Sequence, residues 1–370
     1  MSIPLRVSDF DYALPTDLIA QTPAPERDRS RLLILERESG ALRHRTFCDL
    51  AEHLGKGDLL VINEAKVLPA RLFGRLERRH AVEVLLIQEA EGDSWEALVK
   101  PSRTVRPGDR LLLANGRIEA DVLEKRGEGR HLLRLACDGT LSSILWRFGQ
   151  MPLPPYIKRR GSRFTVHGSQ KDHDFPLDRQ PSTVNRHSSD FERYQTVYAK
   201  HEGAIAAPTA GLHFTLEMIE TLKNRGIGFA PLTLYIGPGT FQPVRAERVE
   251  DHRMESERYV VPEQTALAIK AARSEGRRVI AVGTTTARTL EYAARDGDVR
   301  AGAGVADLFI YPGHCYKVID GLITNFHLPR STLLMLVSAF AGRETILAVY
   351  REAIARRYRF YSYGDAMLIV

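Results

Sequence analysis

Residues 206–243, AAPTAGLHFTLEMIETLKNRGIGFAPLTLYIGPGTFQP, constrain the fold more than any other stretch of this chain. Apolar residues at Leu216, Ile219 and Leu222 recur at helical spacing, and an apolar run at 229–236 reads as a strand. Turn chemistry brackets that helix–strand unit: Pro208, Thr209 and Gly211 lie before it, and Gly237-Pro238-Gly239-Thr240 after it. Glycine tolerates backbone angles that side chains forbid, so such bends turn backbone N–H groups toward a ligand. In α/β proteins ligands collect at the ends of strands. These loops also carry an imidazole (His213), the hydroxyls of Thr209 and Thr240 and the amide of Gln242. A single loop of this make is an ordinary tight turn; two close together point to a site.

Residues 307–342 are built the same way. An apolar run at 308–311 ends in Pro312-Gly313, and a second at 322–328 contains Asn325 and His327 at alternate positions, on one face of a strand. Pro329 breaks that run, Ser331 or Thr332 caps an apolar helix at 333–340, and Gly342 ends it. His327 is either a site residue or a hydrogen-bonded core imidazole.

Along the rest of the chain, strands are expected at 31–36 and 58–62, with a short helix at 48–55 between them. Five short β-like runs follow (82–88, 95–100, 109–113, 117–124 and 131–136), separated by Gly- and Asp-rich turns, then a helix at 140–148. Closely spaced strands without helices suggest a small barrel or sandwich. From 204 onward strands and helices alternate, with helices at 215–225, 263–275, 285–295, 332–341 and 344–357, and strands at 229–236, 278–282, 307–311, 321–327 and 365–369. That is α/β logic. The expected architecture is therefore an α/β domain (1–66 and 155–370) interrupted by a β domain at 67–154.

Residues 158–192 are rich in Arg, Ser, Asp and His and nearly free of aliphatic side chains, too few to bury a core. They read as an extended, mobile loop. It is either an inert surface insertion or a contact for RNA phosphates through Lys158, Arg159, Arg160, Arg163 and Lys171.

Composition excludes several classes. Three cysteines (48, 137 and 315) without C-x-x-C spacing argue against a disulfide framework and a thiolate zinc site. The first residues are polar, unlike a signal peptide, and no apolar run approaches the ~18 residues of a membrane span. A cytosolic protein without a membrane partner is expected. Lys plus Arg exceed Asp plus Glu by 52 − 46 = 6, which fits a polyanionic partner without requiring one.

The chain resembles the S-adenosylmethionine:tRNA ribosyltransferase-isomerase family of queuosine biosynthesis. The runs that carry the resemblance span it end to end: DFDYALPTDLIAQTPAPERDRSRLL (9–33), GDLLVIN (57–63), VLPARLFG (67–74), VEVLL (82–86), WEALVKPS (95–102), GQMPLPPYI (149–157), RYQTVYA (193–199), AAPTAGLHFT (206–215), GTFQPV (239–244), VIAVGTTTARTLE (279–291) and IDGLITNFHLPRSTLLMLVSAFAG (319–342). The resemblance implies a barrel-like α/β catalytic domain with an inserted small β-barrel. It implies transfer and isomerisation of the ribosyl part of S-adenosylmethionine onto 7-aminomethyl-7-deazaguanine at the tRNA wobble position. Adenine and methionine are the by-products, the anticodon stem-loop is the partner, and a monomer is expected. S-adenosylmethionine is then a consumed substrate, and neither a cofactor nor a metal is expected.

That chemistry needs a base for the C5′ proton acidified by the sulfonium, and a proton donor for departing adenine. His213 and His327 are the acid–base candidates because imidazole titrates near working pH, with Asp320 and Glu257 as carboxylate alternatives. Thr209, Gly211, Thr240, Gln242 and Asn325 are candidates for binding substrate. Arg288 either pairs with the methionine carboxylate or forms a salt bridge to Glu291 or a neighbour. Some positions depart from the family pattern: Lys66 stands where Arg is usual, Arg78-Arg79-His80-Ala81 replaces a Gly-Gly turn, and Glu255 replaces His. An S-adenosylmethionine-dependent RNA methyltransferase is the alternative enzyme, but Arg37-Glu38-Ser39-Gly40 after the first strand is not its glycine-rich loop. A non-catalytic RNA-binding protein would not need the polar constellation of the two loop regions.

Overall fold

The computed structural model describes residues 4–77, 80–159, 188–237, 239 and 244–370. The chain divides into two compact units, Met1–Lys66 with Gln195–Val370, and Val67–Tyr194.

The first unit is built on a nine-stranded sheet in the order β15-β13-β12-β3-β14-β16-β17-β1-β2. Its central strands are β3 (Leu59–Asn63), β12 (Gly228–Leu234), β14 (Val279–Val282) and β16 (Gly321–Asn325), all parallel to one another. They are continuous apolar runs because both faces are covered, as parallel sheets require. β17 (Ala366–Ile369) returns antiparallel to β16 and lies parallel to β1 (Arg31–Leu35), which β2 (Leu42–Thr46) flanks. At the other side β13 (Glu257–Val261) and β15 (Gly302–Ala306) add an antiparallel pair. A separate two-stranded sheet joins β4 (Ala65–Val67) and β11 (His201–Ala204). The helices are α3 (Leu216–Asn224), α4 (Glu263–Ser274), α5 (Thr284–Ala293), α6 (Thr332–Ala341) and α7 (Arg343–Ala355). Among the described residues no single helix is long and apolar enough to cross a membrane.

Two expectations shift. The 48–55 helix is a 3-10 turn, Phe47–Glu52, started by Asp49 Oδ2 accepting the Thr46 N–H at 3.0 Å. The run at 307–311 is not a strand: β15 ends at Ala306 and already occupies the free side of β13. The apolar run that follows adds no strand to the sheet and packs by side chain instead, Phe309 against His252 and Tyr311.

The second unit is a closed six-stranded barrel in the order β10-β7-β6-β5-β8-β9. Its strands are β5 (Arg71–Leu76), β6 (Ala81–Glu89), β7 (Ser94–Lys100), β8 (Arg110–Leu113), β9 (Ile118–Lys125) and β10 (Arg130–Cys137). Every pair is antiparallel, and closure leaves no free edge. After it comes α1 (Leu141–Phe148), capped by Thr140. Gly149 follows because a Cβ there would collide with the Pro69 carbonyl. This unit runs past residue 154, the boundary expected from sequence, to Tyr194. Arg159 grips Asp190 of α2 (Ser188–Arg193) through two bonds of 2.7 Å, and Phe191 faces Trp146 at 6.4 Å. Arg159 is thereby committed to an ion pair. Arg160, Arg163 and Lys171 of the 158–192 segment lie outside the described residues.

Asn63, at the end of β3, ties the sheet together at the point where ligands are expected. Its Oδ1 accepts the N–H of Ala65 and of Leu234, both at 3.0 Å, and its Nδ2 donates to the Leu234 carbonyl at 3.1 Å. All of these atoms are buried. Asn63→Ala strands two donors and an acceptor, and is expected to destabilise the protein by about 2–4 kcal/mol in urea denaturation; a loss under about 1 kcal/mol contradicts this account of Asn63.

Candidate active site

Because β3, β12, β14 and β16 are parallel, their C-terminal ends share one edge of the sheet. The pairings Asn325↔Ala366 and Leu32↔Ala366 bring the starts of β17 and β1 to that same edge. Polar side chains concentrate there. The 206–215 run enters as a 3-10 turn, Thr209–His213, and Thr215 then caps α3 by accepting the Met218 N–H at 3.1 Å. The turn sits against the β14–α5 bend: at Gly283, with φ 98°, a Cβ would lie 3.9 Å from the Ala210 Cβ. Gly211 is required where it stands, since a Cβ would occupy the position of the buried Tyr198 hydroxyl.

His213 is the centre of the first cluster. Its Nδ1 lies 2.7 Å from Ser30 Oγ and its Nε2 3.1 Å from Asn325 Nδ2. The same Nδ2 faces the carbonyls of Tyr361 (3.3 Å) and Asp365 (3.4 Å), which fixes the amide with nitrogen toward all three acceptors. Asn325 therefore donates to Nε2, the imidazole proton sits on Nδ1, and Ser30 Oγ accepts it. This leaves Asn325 Oδ1 buried with no hydrogen-bond partner among the described residues. Burial, reinforced by the nearby positive charges of Arg27 and Arg359, pushes the His213 pKa down to about 3. The imidazole is neutral at working pH.

The second cluster centres on Arg288, on the first turns of α5. Burial lowers its pKa to about 10, so it remains a cation, and it forms a buried ion pair with Glu257. The other Glu257 oxygen accepts the Gly237 N–H at 2.9 Å, tying the pair to the second glycine bend. Arg288 Nε is buried without a partner among the described residues. A narrow cavity beside it is lined by Met254, Thr284, Thr285, Phe309 and Leu336. The Thr286 hydroxyl donates to the Val282 carbonyl at the end of β14 at 2.8 Å, and the Thr289 hydroxyl to the Thr285 carbonyl within the helix at 2.9 Å. The expected alternative partner, Glu291, is occupied elsewhere: it accepts the N–H groups of Lys317, Val318 and Ile319 at 2.8, 2.9 and 3.3 Å.

The structure thus gathers Thr209, Gly211, His213, Glu257, Arg288 and Asn325 at one edge. His327 is also near the end of β16 but is locked into the core. Its Nε2 meets Thr324 Oγ1 at 2.8 Å, its N–H donates to the Tyr350 hydroxyl at 3.0 Å, and its carbonyl accepts from the Tyr12 hydroxyl. Burial pushes its pKa to about 3. Neither imidazole titrates near working pH, contrary to the sequence expectation, because both are desolvated. Asp320 is not with the others. It precedes β16, at the opposite edge, where it is exposed and its Oδ2 accepts the Val279 N–H at 2.8 Å. Thr240 and Gln242 lie outside the described residues. Of the departures from the family pattern, Lys66 pairs with Glu202 at 3.1 Å, Glu255 fills the space a Cβ on Gly239 would need, and Arg78 and Arg79 lie outside the described residues.

Sequence reasoning missed Ser30 and Asp365. Asp365 accepts the N–H of Arg31 at 3.0 Å and of Arg359 at 2.8 Å, joining the start of β1 to the segment before β17. Ser30 and Asp365 both sit next to strand starts, a signal that gains meaning only once β1 and β17 are known to be neighbours.

The two buried imidazoles have a consequence for stability. Their pKa values are about 3 when folded and 6.5 as the ordinary value, so between these the unfolded chain binds more protons. Stability from this source is full above 6.5 and falls as pH drops, by about 1.4 kcal/mol per pH unit for each imidazole. His327→Gln is expected to make the decline between pH 6.5 and 5 shallower by one such increment in urea titrations. An unchanged slope contradicts the buried neutral state.

Comparison with known proteins follows the whole chain. The family model described as queuosine biosynthesis protein matches residues 7–369. The S-adenosylmethionine:tRNA ribosyltransferase-isomerase of Heliobacterium modesticaldum is 50% identical over 369 residues, covering 99% of this chain and all of the relative. That of Pelobacter propionicus is 50% identical over 368 residues, with the same coverage. The crystal structure of S-adenosylmethionine tRNA ribosyltransferase from Thermotoga maritima shares 37% identity, covers 98% of this chain and 100% of its own, and superposes with a TM-score of 0.53.

Proposed function

The chain belongs to the queuosine biosynthesis family of S-adenosylmethionine:tRNA ribosyltransferase-isomerases, and on that premise we propose that the C-terminal edge of its large sheet is where S-adenosylmethionine is consumed. The enzyme transfers the ribosyl moiety of S-adenosylmethionine to 7-aminomethyl-7-deazaguanine in tRNA and isomerises it to epoxyqueuosine, releasing adenine and methionine. The observation that carries the activity is identity near 50% along the full chain. A methyltransferase or a passive RNA-binding protein would not account for it.

The site assignments are our own reading. Arg288 receives the methionine carboxylate, supported by its Nε, which has no partner among the described residues, and by the cavity it lines with Thr284 and Thr285. Those threonines open α5, whose first N–H groups favour an anion. Glu257 is the base for the C5′ proton: it is the carboxylate that the structure brings to Arg288, whereas Asp320 lies at the far edge. His213, neutral, holds Asn325 in one orientation, and Asn325 Oδ1 accepts a hydrogen bond from the nucleoside part. Thr209 and Gly211 shape the turn that presents His213. His327 supports the end of β16. The reading includes the anticodon stem-loop as the tRNA element bound, a cytosolic monomer and no resident metal, so EDTA-treated enzyme is expected to keep its turnover.

Incubation with S-adenosylmethionine and tRNA carrying the deazaguanine, followed by nucleoside mass spectrometry, tests the activity. Adenine with epoxyqueuosine is the expected result, and S-adenosylhomocysteine with methylated tRNA overturns it. Two variants test the roles. Arg288→Lys keeps the charge but not the planar fork, and is expected to raise the KM for S-adenosylmethionine by roughly 10–100-fold with little change in Tm. Glu257→Gln is expected to lower kcat by about 10²–10⁴-fold while S-adenosylmethionine still binds; turnover near wild type would remove Glu257 from the base role.

A further inference from the structure

We propose that one mouth of the β-barrel, carrying Lys100, Arg103, Arg106 and Lys125, is a docking surface for the tRNA phosphate backbone. The proposal rests on the reading of the protein as a tRNA-modifying enzyme and adds where the polyanion is held.

The first observation is how charge divides between the two units. Residues 67–194 contain 22 Lys plus Arg against 17 Asp plus Glu, whereas the rest of the chain has 30 against 29. Four of those five excess charges fall on residues 78–79 and 160–187, outside the described residues, so the case for the mouth rests on its own cations. A local cluster of unpaired cations creates a field that gathers a polyanion.

The second is local. β7 and β8 are not neighbours in the barrel, so residues 101–109 must cross one mouth. Lys100, Arg103 and Arg106 stand on this crossover, exposed. Lys125, at the end of β9, is brought to it by a 2.8 Å bond from its Nζ to the Ser102 carbonyl. None of the four is in an ion pair among the described residues. The carboxylates nearby are otherwise engaged. Asp109 accepts the Arg106 N–H at 2.8 Å, Glu124 pairs with Arg126 at 2.9 Å, and Glu83, opposite Lys100 in the ladder, is buried 3.6 Å from Arg71. Elsewhere on the barrel Arg110 and Arg130 are neutralised by acidic partners.

The third is that the crossover is pinned. Val105 is buried, Thr104 Oγ1 donates to the Pro101 carbonyl at 3.0 Å, and the Gly108 N–H donates to the Val122 carbonyl at 2.8 Å. Cations on a held backbone need little further ordering to meet phosphates. Two of them are guanidinium forks, which match phosphate oxygens in pairs.

The test replaces the four cations together (Lys100→Gln, Arg103→Gln, Arg106→Gln, Lys125→Gln) in the full chain. Binding of tRNA bearing the deazaguanine is measured across a KCl series. A control exchanges Arg117→Gln and Arg134→Gln, exposed cations elsewhere on the barrel. The quadruple variant is expected to keep its Tm and its affinity for S-adenosylmethionine. Its tRNA affinity should fall on the order of 10²-fold at low salt, and the slope of log K against log salt should become shallower by about 3–4. Turnover at saturating tRNA should be preserved, so the defect appears in the KM for tRNA. The milder Arg103→Gln/Arg106→Gln variant should lose about half of that slope. Unchanged affinity and slope in a folded variant overturn the proposal, as does an equal loss in the control. Wild-type protein that fails to bind this tRNA overturns the enzyme reading as well, whereas wild-type binding and turnover with an indifferent quadruple variant overturn the docking surface alone.

Discussion

The imidazole of His213, held between Ser30 Oγ and Asn325 Nδ2, is the interaction on which the rest of the sheet edge depends. Ser30 precedes β1, Asn325 ends β16, and His213 ends the turn before α3. One ring therefore connects three chain segments far apart in sequence. Because it is buried and neutral, its two nitrogens must play opposite roles, and the carbonyls of Tyr361 and Asp365 decide which. That assignment leaves Asn325 Oδ1 without a partner among the described residues. A buried acceptor left unmatched is costly unless a ligand meets it. The same logic applies to Arg288 Nε, a buried donor with no acceptor among the described residues, next to the first turn of α5.

The two clusters are coupled through backbone rather than through side chains. The 209–213 turn packs on the Gly283 bend, the bend starts α5, and α5 carries Arg288 to Glu257. Glu257 in turn holds the Gly237 N–H. Glycine at 211 and 283 is what lets these segments come together, one by having no Cβ, the other by its positive φ. Glu291, one turn along α5 from Arg288, anchors residues 317–319 and so fixes the approach to β16.

Much of this was legible in the sequence. The central strands and α3 to α7 follow from apolar periodicity and from capping signals such as Ser331, whose Oγ accepts the Leu334 N–H at 3.2 Å. The β-rich insertion was visible from its turn spacing. Other features were not, for identifiable reasons. β13 and β15 form an exposed antiparallel pair between strands distant in sequence, and GAGVA in β15 has almost no apolar pattern to read. The run LFIY after it has strand composition but pairs with no strand, and Phe309 joins the cavity wall beside Arg288 instead. Asp320 and His327 looked alike as candidates next to the same strand. Only topology separates them, by placing Asp320 at the strand's start and His327 beyond its end. The titration of both histidines was misjudged because burial cannot be read from residue type. Ser30 was missed because its partner is 183 positions away.

The central claim is that S-adenosylmethionine is held at the C-terminal edge of the sheet. The most direct measurement is hydrogen–deuterium exchange with and without saturating S-adenosylmethionine. The opposite edge is a fair competitor, since it has an open cavity of about 810 Å³ lined by Arg37, Arg43, His53, Arg278 and Phe340. The account predicts protection of the 209–213 turn and of the first turn of α5 at 284–288, with unchanged exchange at 37–43 and 340–341. Protection confined to that opposite edge, with 209–213 and 284–288 unaffected, would contradict it.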